Sequence, residues 1–386
     1  MYDYVIAGAG LSGSILARML AEKQNKRVLL LERRPHIAGN TYDCNGEHGI
    51  RIQKYGPHVF HTDSERAYSF IRQYCTEIPY RTRCEAVIDG VSTPSPFNFR
   101  TIDQFYDRED AQRLKNRITD YFHRPAASVM EMMECEEDEI RQYAQFLFEK
   151  DYKPYTAKQW NMPPDKIDSS VLRRVPVVFS YRDTYFEDKY EFIPEEGFTG
   201  LVEEMLNHPL IEVKLSCDII PDLRMDDLYK KVSYMGGEPV VIYTGAIDEL
   251  FDYCYGTLPY RSLYFEYKYY QKEDFQNTAI VAYPQESGYT RITEYTKMPV
   301  QKGKGWTVAA YEYPVPYDKN AESGQEPYYP VLTKDSHEIY LKYQNLASSY
   351  QNLITCGRLA DFKYYNMDQV VLRALQVYEE IEKGTE

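Results

Sequence analysis

The chain has 386 residues, a length that at about 150 residues per unit points to two or three lobes with clefts between them. With 43% hydrophobic and 27% charged residues it is too apolar for the class of chains that stays disordered. Lys and Arg number 45 against 59 Asp and Glu, and the resulting net charge of −14 excludes bulk binding to nucleic acid or to an anionic membrane, so an anionic ligand has to be held by a local cluster of cations.

Met1 leads straight into an apolar strand rather than a basic and then hydrophobic leader, and no apolar run reaches the length of a membrane span, which predicts a cytoplasmic chain. Tyr2–Ala7 reads as a buried strand, Leu11–Glu22 has helical periodicity and Arg27–Leu31 is a second apolar strand, so the chain opens on a βαβ unit of an α/β fold. Thr62 with Glu65 and Thr101 with Gln104 have capping-box spacing, predicting helices over Asp63–Glu77 and Ile102–Asn116. Ser128–Lys150 reads as one longer helix, with the acidic stretch Glu134–Glu139 as its solvated face. Pro163, Pro164 and Pro176 make Asn161–Asp183 a loop, of the kind that serves as a lid.

After a helix at Leu201–Asn207 come β-rich runs at Ile211–Leu215, Val240–Thr244, Ser262–Tyr270, Thr278–Tyr283, Tyr289–Tyr295 and Trp306–Tyr313, several alternating polar with aromatic residues as antiparallel strands do. A helix at Ser336–Ala347, a strand at Asn352–Cys356 and a helix at Asp368–Lys383 close the chain. The seven cysteines (Cys44, Cys75, Cys84, Cys135, Cys217, Cys254, Cys356) are odd in number and contain no CxxC, so they indicate neither a disulfide framework nor a zinc site. The 39 tyrosines suit a sugar or nucleotide pocket, and equally an ordinary core.

The strongest chemical signal is Gly8-Ala9-Gly10-Leu11-Ser12-Gly13, a GxGxxG between strand and helix, with Glu32 ending the next strand 19 residues after Gly13. Gly8 permits the tight turn, Gly10 lets a pyrophosphate approach the helix N-terminus, Gly13 lets helix and strand pack, and Glu32 accepts from ribose hydroxyls. The following Glu32-Arg33-Arg34-Pro35-His36-Ile37-Ala38-Gly39-Asn40 resembles the acidic-residue-then-glycine turn of FAD proteins of the glutathione reductase and amine oxidase type, which favours FAD over NAD. Asn366 before the last helix is a candidate N-cap, with Gln369 as its box partner.

Six ordered motifs then carry a resemblance over nearly the whole chain. They are Tyr55-Gly56-Pro57-His58-Val59-Phe60-His61-Thr62, Tyr155-Thr156-Ala157-Lys158-Gln159-Trp160, Arg173-Arg174-Val175-Pro176-Val177, Tyr289-Thr290-Arg291-Ile292-Thr293-Glu294, Pro327-Tyr328-Tyr329-Pro330, and Gly357-Arg358-Leu359 through Met367-Asp368. By these the chain resembles the UDP-galactopyranose mutases. The resemblance implies a flavoprotein that converts a nucleotide-diphosphate hexopyranose to its furanose form without net oxidation, the N5 of reduced FAD serving as nucleophile toward the anomeric carbon. It implies a Rossmann-type FAD-binding domain (1–78, 198–256 and 331–386), a helical domain with a mobile lid (100–185) and an antiparallel sheet domain (79–99 and 257–330), in a homodimer.

It also assigns residues. Arg174 and Arg291 would stabilise the departing diphosphate, with His61 beside the flavin ring. Tyr155, Thr156, Trp160, Tyr185, Tyr329, Tyr364 and Asn366 would contact substrate. Gly8, Gly10, Leu11, Ser12, Gly13, Glu32, Arg33, Gly39, Asn40, His58, Val59, Phe60, His61, Gly245, Arg358 and Met367 would contact the cofactor. No metal site is expected.

The chain departs from the family pattern in the sugar pocket, with Asn366 where Asp is usual and Ala282 and Pro94 where Asn is usual. Lost polar partners imply a changed sugar, for which a 6-deoxyhexose, a pentose and an N-acetylated sugar are the candidates. Two other function classes compete with the mutase: an oxidoreductase of the amine oxidase type, and a catalytically silent nucleotide-sugar binder.

Overall fold

Five short strands pair in parallel in the order Ile211–Leu215, Val28–Glu32, Tyr4–Ala7, Val240–Tyr243, Leu353–Thr355. The structure, a computed structural model, describes residues 2–160, 175–321 and 325–384. Every residue of Tyr4–Ala7 and Val28–Glu32 is buried, because both faces of the sheet are covered. On one face Ile6, Leu30 and Ile242 pack with residues of the helices Leu11–Gln24, Gly197–Leu206 and Met367–Gly384. On the other, Val5, Leu29 and Val241 pack with Tyr343 and Ala347 of the helix Lys334–Ser348 and with Val232 and Tyr234 of a hairpin.

A second sheet of seven strands runs Tyr329–Pro330, Tyr260–Tyr270, Thr307–Pro316, Arg291–Glu294, Ile280–Ala282, Cys84–Ile88, Val91–Ser95. It is antiparallel except where Ile280–Ala282 runs parallel to Cys84–Ile88. A helical layer between Phe99 and Trp160 has its own core of Ile102, Leu114, Ile118, Met132, Ile140, Tyr143 and Leu147, closed against Ala86 and Ile88 of that sheet.

The caps are where expectation and structure part. Thr62 does not open a helix; its hydroxyl donates to Asp368 Oδ2 at 3.0 Å, and Ser64 instead caps Glu65–Ile71 by accepting from Ala67 N–H. Residues Glu77–Pro79, expected to end that helix, are a strand. Thr101 is the third helical residue rather than the cap: Asn98 accepts from Arg100 N–H at 2.8 Å, while Thr101 Oγ1 accepts from Asn98 N–H at 3.2 Å. That helix ends at Phe105, and Asp107 caps a separate one, Arg108–Phe122.

The single helix expected over Ser128–Lys150 is three segments, Val129–Glu134, Asp138–Leu147 and a π-helical turn Phe148–Tyr152, continuing into Lys153–Trp160. Ser128 and Glu131 form the first segment's capping box. The acidic run Glu134–Glu139 straddles the break, where Glu137 meets Arg117 at 2.8 Å and Glu139 meets Arg113 at 3.1 Å. Of the expected loop, residues 161–174 lie outside the described residues, and Val177–Val178 is a strand paired with Ala126–Ala127. All seven cysteines are free thiols. No described helix is long and apolar enough to cross a membrane.

Candidate functional site

The C-terminal ends of the parallel strands open into a cleft of about 760 Å³ that continues across the face of the seven-stranded sheet. Clefts at strand ends are the usual ligand sites of such sheets. Gly8 sits at φ 105, where a Cβ would lie 2.2 Å from Thr244 Oγ1, so the turn admits no side chain. The helix Leu11–Gln24 starts at Gly10 with no side-chain cap and no acidic residue in its first turn. Its first N–H groups therefore face the cleft unclaimed, as an anion requires. Glu32 Oε2 accepts from Ala9 N–H at 2.8 Å and Oε1 from Arg34 N–H at 3.0 Å, which fixes the carboxylate at the cleft wall. Gly10 and Gly39 approach so closely that a Cβ on Gly39 would stand 2.9 Å from Gly10 Cα.

This cradle fits a flavin dinucleotide on two further counts. Arg34, in the cleft wall, is held by Asn40 Oδ1 at 2.9 Å and Glu326 Oε2 at 2.8 Å, yet its buried Nη1 has no hydrogen-bond partner among the described residues. His58 is half-buried in the cleft wall near the Arg358 guanidinium, and desolvation pushes its imidazole down to about 4, so it is neutral at physiological pH. Its Nδ1 lies 2.8 Å from Gly56 O and must carry the proton, leaving Nε2 a bare acceptor. Glu32→Ala is expected to yield folded protein that loses its flavin on purification; an unchanged ratio of flavin to protein absorbance would remove the ribose role.

The other end of the cleft is cationic. Arg291 and Glu312 face each other across neighbouring strands, with Arg291 Nε and Nη2 each 2.7 Å from Glu312 Oε2. Glu312 is 1% exposed, and its Oε1 accepts from Thr290 Oγ1 at 3.2 Å, so both oxygens of this buried carboxylate are hydrogen-bonded, while Arg291 is partly open to the cleft. Burial opposes the charge on Arg291, but Glu312 and the Tyr155 and Tyr329 phenols outweigh it and raise its pKa above the ordinary guanidinium value. Tyr329 stacks on Tyr364 at 4.7 Å, and the guanidinium carbons of Arg261 and Arg358 lie 5.2 and 4.7 Å from the Tyr329 ring centre. His61 stacks on Phe186 at 3.6 Å with Nδ1 3.2 Å from Asp188 Oδ2.

Most of the expected site residues meet in this one cleft. Gly8, Gly10, Leu11, Ser12, Glu32, Arg33, Gly39, Asn40, His58, Val59, His61, Gly245, Arg358 and Met367 line it, as do Tyr155, Thr156, Tyr185, Arg291, Tyr329, Tyr364 and Asn366. Arg33 also pairs with Glu249 at 3.0 Å. Gln369 accepts from the Asn366 N–H at 2.9 Å, one half of the expected box, while the Gln369 N–H goes to Asp368 Oδ1 at 2.8 Å rather than to the Asn366 side chain. Two residues do not reach the cleft. The Gly13 Cα is sealed against Gly8 O, and Phe60 is 1% exposed, turned into the core against Phe192 at 5.1 Å, because strand alternation points Val59 and His61 the other way. Arg174 lies outside the described residues, as does the side chain of Trp160.

Sequence reasoning missed Arg34, Arg261 and Glu312, all in the cleft wall. For Glu312 no local signal exists, since its meaning comes from the strand opposite.

Comparison with known proteins adds the following. The family described as UDP-galactopyranose mutase matches residues 150–364, and the NAD(P)-binding Rossmann-like domain matches residues 6–74. A probable UDP-galactopyranose mutase of Klebsiella pneumoniae is 34% identical over 98% of this chain and 94% of its own. A dTDP-fucopyranose mutase of Escherichia coli is 36% identical over 97% of each chain. The crystal structure of a reduced UDP-galactopyranose mutase superposes with a TM-score of 0.73 at 17% identity, covering 100% of this chain and 95% of that one.

Proposed function

The chain belongs to the UDP-galactopyranose mutase family, and on that premise we propose that it is a flavin-dependent isomerase converting a nucleotide-diphosphate pyranose to its furanose form, with FAD held reduced. The observation that carries this is one continuous cleft, with an uncapped helix N-terminus and Glu32 at one end and the Arg291–Glu312 pair at the other. The flavin, when bound, supplies a nucleophilic nitrogen to the anomeric carbon.

The chain's residues do the rest. Glu32 and the first helical N–H groups would hold the dinucleotide, and the unprotonated Nε2 of His58 would be available to it as a hydrogen-bond acceptor. Arg291, kept in place by Glu312, meets the negative charge that grows on the diphosphate as its bond to the sugar breaks, and Arg174 is the second cation of this proposal. Arg358 carries no ion pair among the described residues and is available to the same charge. Tyr155, Thr156, Tyr185, Tyr329, Tyr364 and Asn366 shape the substrate path and exclude water.

The sheet floor beside Arg291 bears on the sugar. Ala282 is its direct cross-strand neighbour, and Ala86 lies opposite Ala282 in the next strand. Ile280 and Cys84, two residues along, line the cleft on the same side. These four side chains form an apolar patch that suits a 6-deoxyhexose, whose methyl group it would cover, while Ser95, opposite Cys84, and Thr82 line the cleft nearby and would meet the remaining sugar hydroxyls.

An oxidoreductase of the amine oxidase type is the less favoured reading, having no need of the Arg291 cluster. The decisive experiment is anaerobic turnover by dithionite-reduced protein of paired nucleotide sugars that differ only at C6. Furanose product without an electron acceptor, formed faster from the 6-deoxy member, is expected. A stoichiometric demand for oxygen or another acceptor would overturn the mutase reading, and preference for the hexose would overturn the assigned wall.

A further inference from the structure

The last turn of the helix Lys153–Trp160 is tied to the seven-stranded sheet in two places. Gln159 O belongs to the final carbonyls of that helix, which no helical N–H can reach, and Arg261 Nη1 on the sheet donates to it at 2.6 Å. One residue earlier, Lys158 Nζ donates to Tyr283 O, Glu286 O and Tyr289 O at 2.6, 2.6 and 2.8 Å. An ammonium has three hydrogens, and this one uses all three on main-chain carbonyls. Burial lowers the Lys158 pKa to about 8, with Glu286 and Asp151 opposing, so the group is charged near neutral pH.

The three carbonyls lie in the loop that joins the strands Ile280–Ala282 and Arg291–Glu294. Tyr283 N–H closes the base of this loop on Thr290 O at 2.8 Å, but Gln285, Glu286, Ser287 and Gly288 are all exposed and give it no packed core. At the surface Gln285 exchanges hydrogen bonds with Asp89, at 2.7 and 2.8 Å. Lys158 instead grips the loop at both ends and in the middle. Tyr283 directly follows Ala282, and Tyr289 stands two residues before Arg291.

Both partners of this grip carry cleft residues. Arg291 and Ala282 line the cleft from the hairpin, and Tyr155, Thr156 and Gln159 line it from the helix. Tyr155 is three residues before Lys158 and shares its side of the helix. Lys158 itself is not one of the residues lining the cleft, so it acts on the ligand only through them.

We infer that Lys158 is a positioning residue for the isomerisation: its ammonium fixes the hairpin that carries Arg291 against the helix that carries Tyr155 and Thr156. This rests on the mutase reading above, which supplies the diphosphate that Arg291 meets. Glu312 aims the Arg291 guanidinium, and Lys158 places the backbone that bears it. Three carbonyls converging on one nitrogen fix it in three directions, which a single ion pair does not. Because Glu286 is exposed and Tyr283 and Tyr289 are only partly buried, water can replace the ammonium at these carbonyls, and variants at Lys158 are expected to fold.

The test is a double-mutant cycle between Lys158 and Arg291 near neutral pH. It is read in turnover of the reduced, flavin-loaded protein and in affinity of the oxidised protein for UDP and dTDP. Lys158→Met is expected to lower turnover about tenfold and to weaken nucleotide binding, where a misplacement of about 1 Å can cost a hundredfold. In the Arg291→Ala background the same change is expected to cost less than about twofold, because the group it positions is gone; general loosening of the protein would cost the same factor in both backgrounds. Lys158→Arg keeps the charge but spreads its donors over a planar fork that cannot aim three hydrogens at one cluster of carbonyls, so turnover is expected to stay low. Normal turnover in Lys158→Met, full recovery in Lys158→Arg, or equal losses in both backgrounds would overturn the proposal and leave the mutase reading intact. A wild type that binds nucleotide but forms no furanose product would overturn the mutase reading, and the affinity cycle alone would then decide whether Lys158 positions Arg291. Failure of the wild type to bind either nucleotide would overturn both.

Discussion

Arg291→Ala is expected to lower turnover by about a hundredfold or more while the protein still purifies with flavin, the scale for removing one donor to developing charge. The elements proposed to hold the flavin, the Gly8–Gly13 turn and Glu32, lie at the parallel sheet, whereas Arg291 lies in the antiparallel one, so cofactor retention and turnover should separate. The same change strands Glu312, a carboxylate with 2% side-chain exposure, without its counter-ion. Breaking a buried pair from one side costs about 3–5 kcal/mol, so the alanine variant is also expected to melt at lower temperature. Arg291→Lys distinguishes the two effects. It keeps a cation against Glu312 but loses the two-nitrogen fork, so stability should largely return while turnover stays depressed. Near-normal turnover in both variants would remove Arg291 from the chemistry.

Gly13→Ala is expected to abolish flavin binding and to lower the melting temperature sharply. Helix propensity alone argues for the opposite sign, since alanine is favoured over glycine by about 1 kcal/mol inside a helix. The geometry decides against it. A Cβ on Gly13 would stand 2.0 Å from Gly8 O and 3.2 Å from Ile6 Cγ2. Both neighbours belong to the strand and turn against which the helix packs, so the helix has to move outward. Overpacking of this kind costs about 1–3 kcal/mol or more, exceeding the propensity gain. The displaced helix N-terminus would no longer meet a pyrophosphate. Melting curves and the flavin absorbance of the purified variant check this; a flavin-loaded protein with a raised melting temperature would contradict the packing account.

The helix caps show why some local signals misled. Thr62 and Thr101 both have capping-box spacing, but Thr62 is drawn off by Asp368, which lies 306 residues away, and Thr101 serves as the responding partner of Asn98. Several capping residues within a few positions compete, and the tertiary environment chooses among them. Phe60 was misread for a related reason. It lies between two cleft residues in a motif that resembles a cofactor loop, but a strand turns alternate side chains to opposite faces.

What the sequence by itself determined is what backbone sterics within a few residues decide: the opening βαβ unit, the glycines of its turn, the distance to Glu32 and the family that the ordered motifs announce. What only the tertiary structure decided is who stands opposite whom. Glu312 became the anchor of Arg291 through strand register, and Arg34 entered the cleft with a nitrogen that no described residue claims. Such pairings depend on the relative placement of strands and helices far apart in the chain, and no pattern along a single segment encodes them.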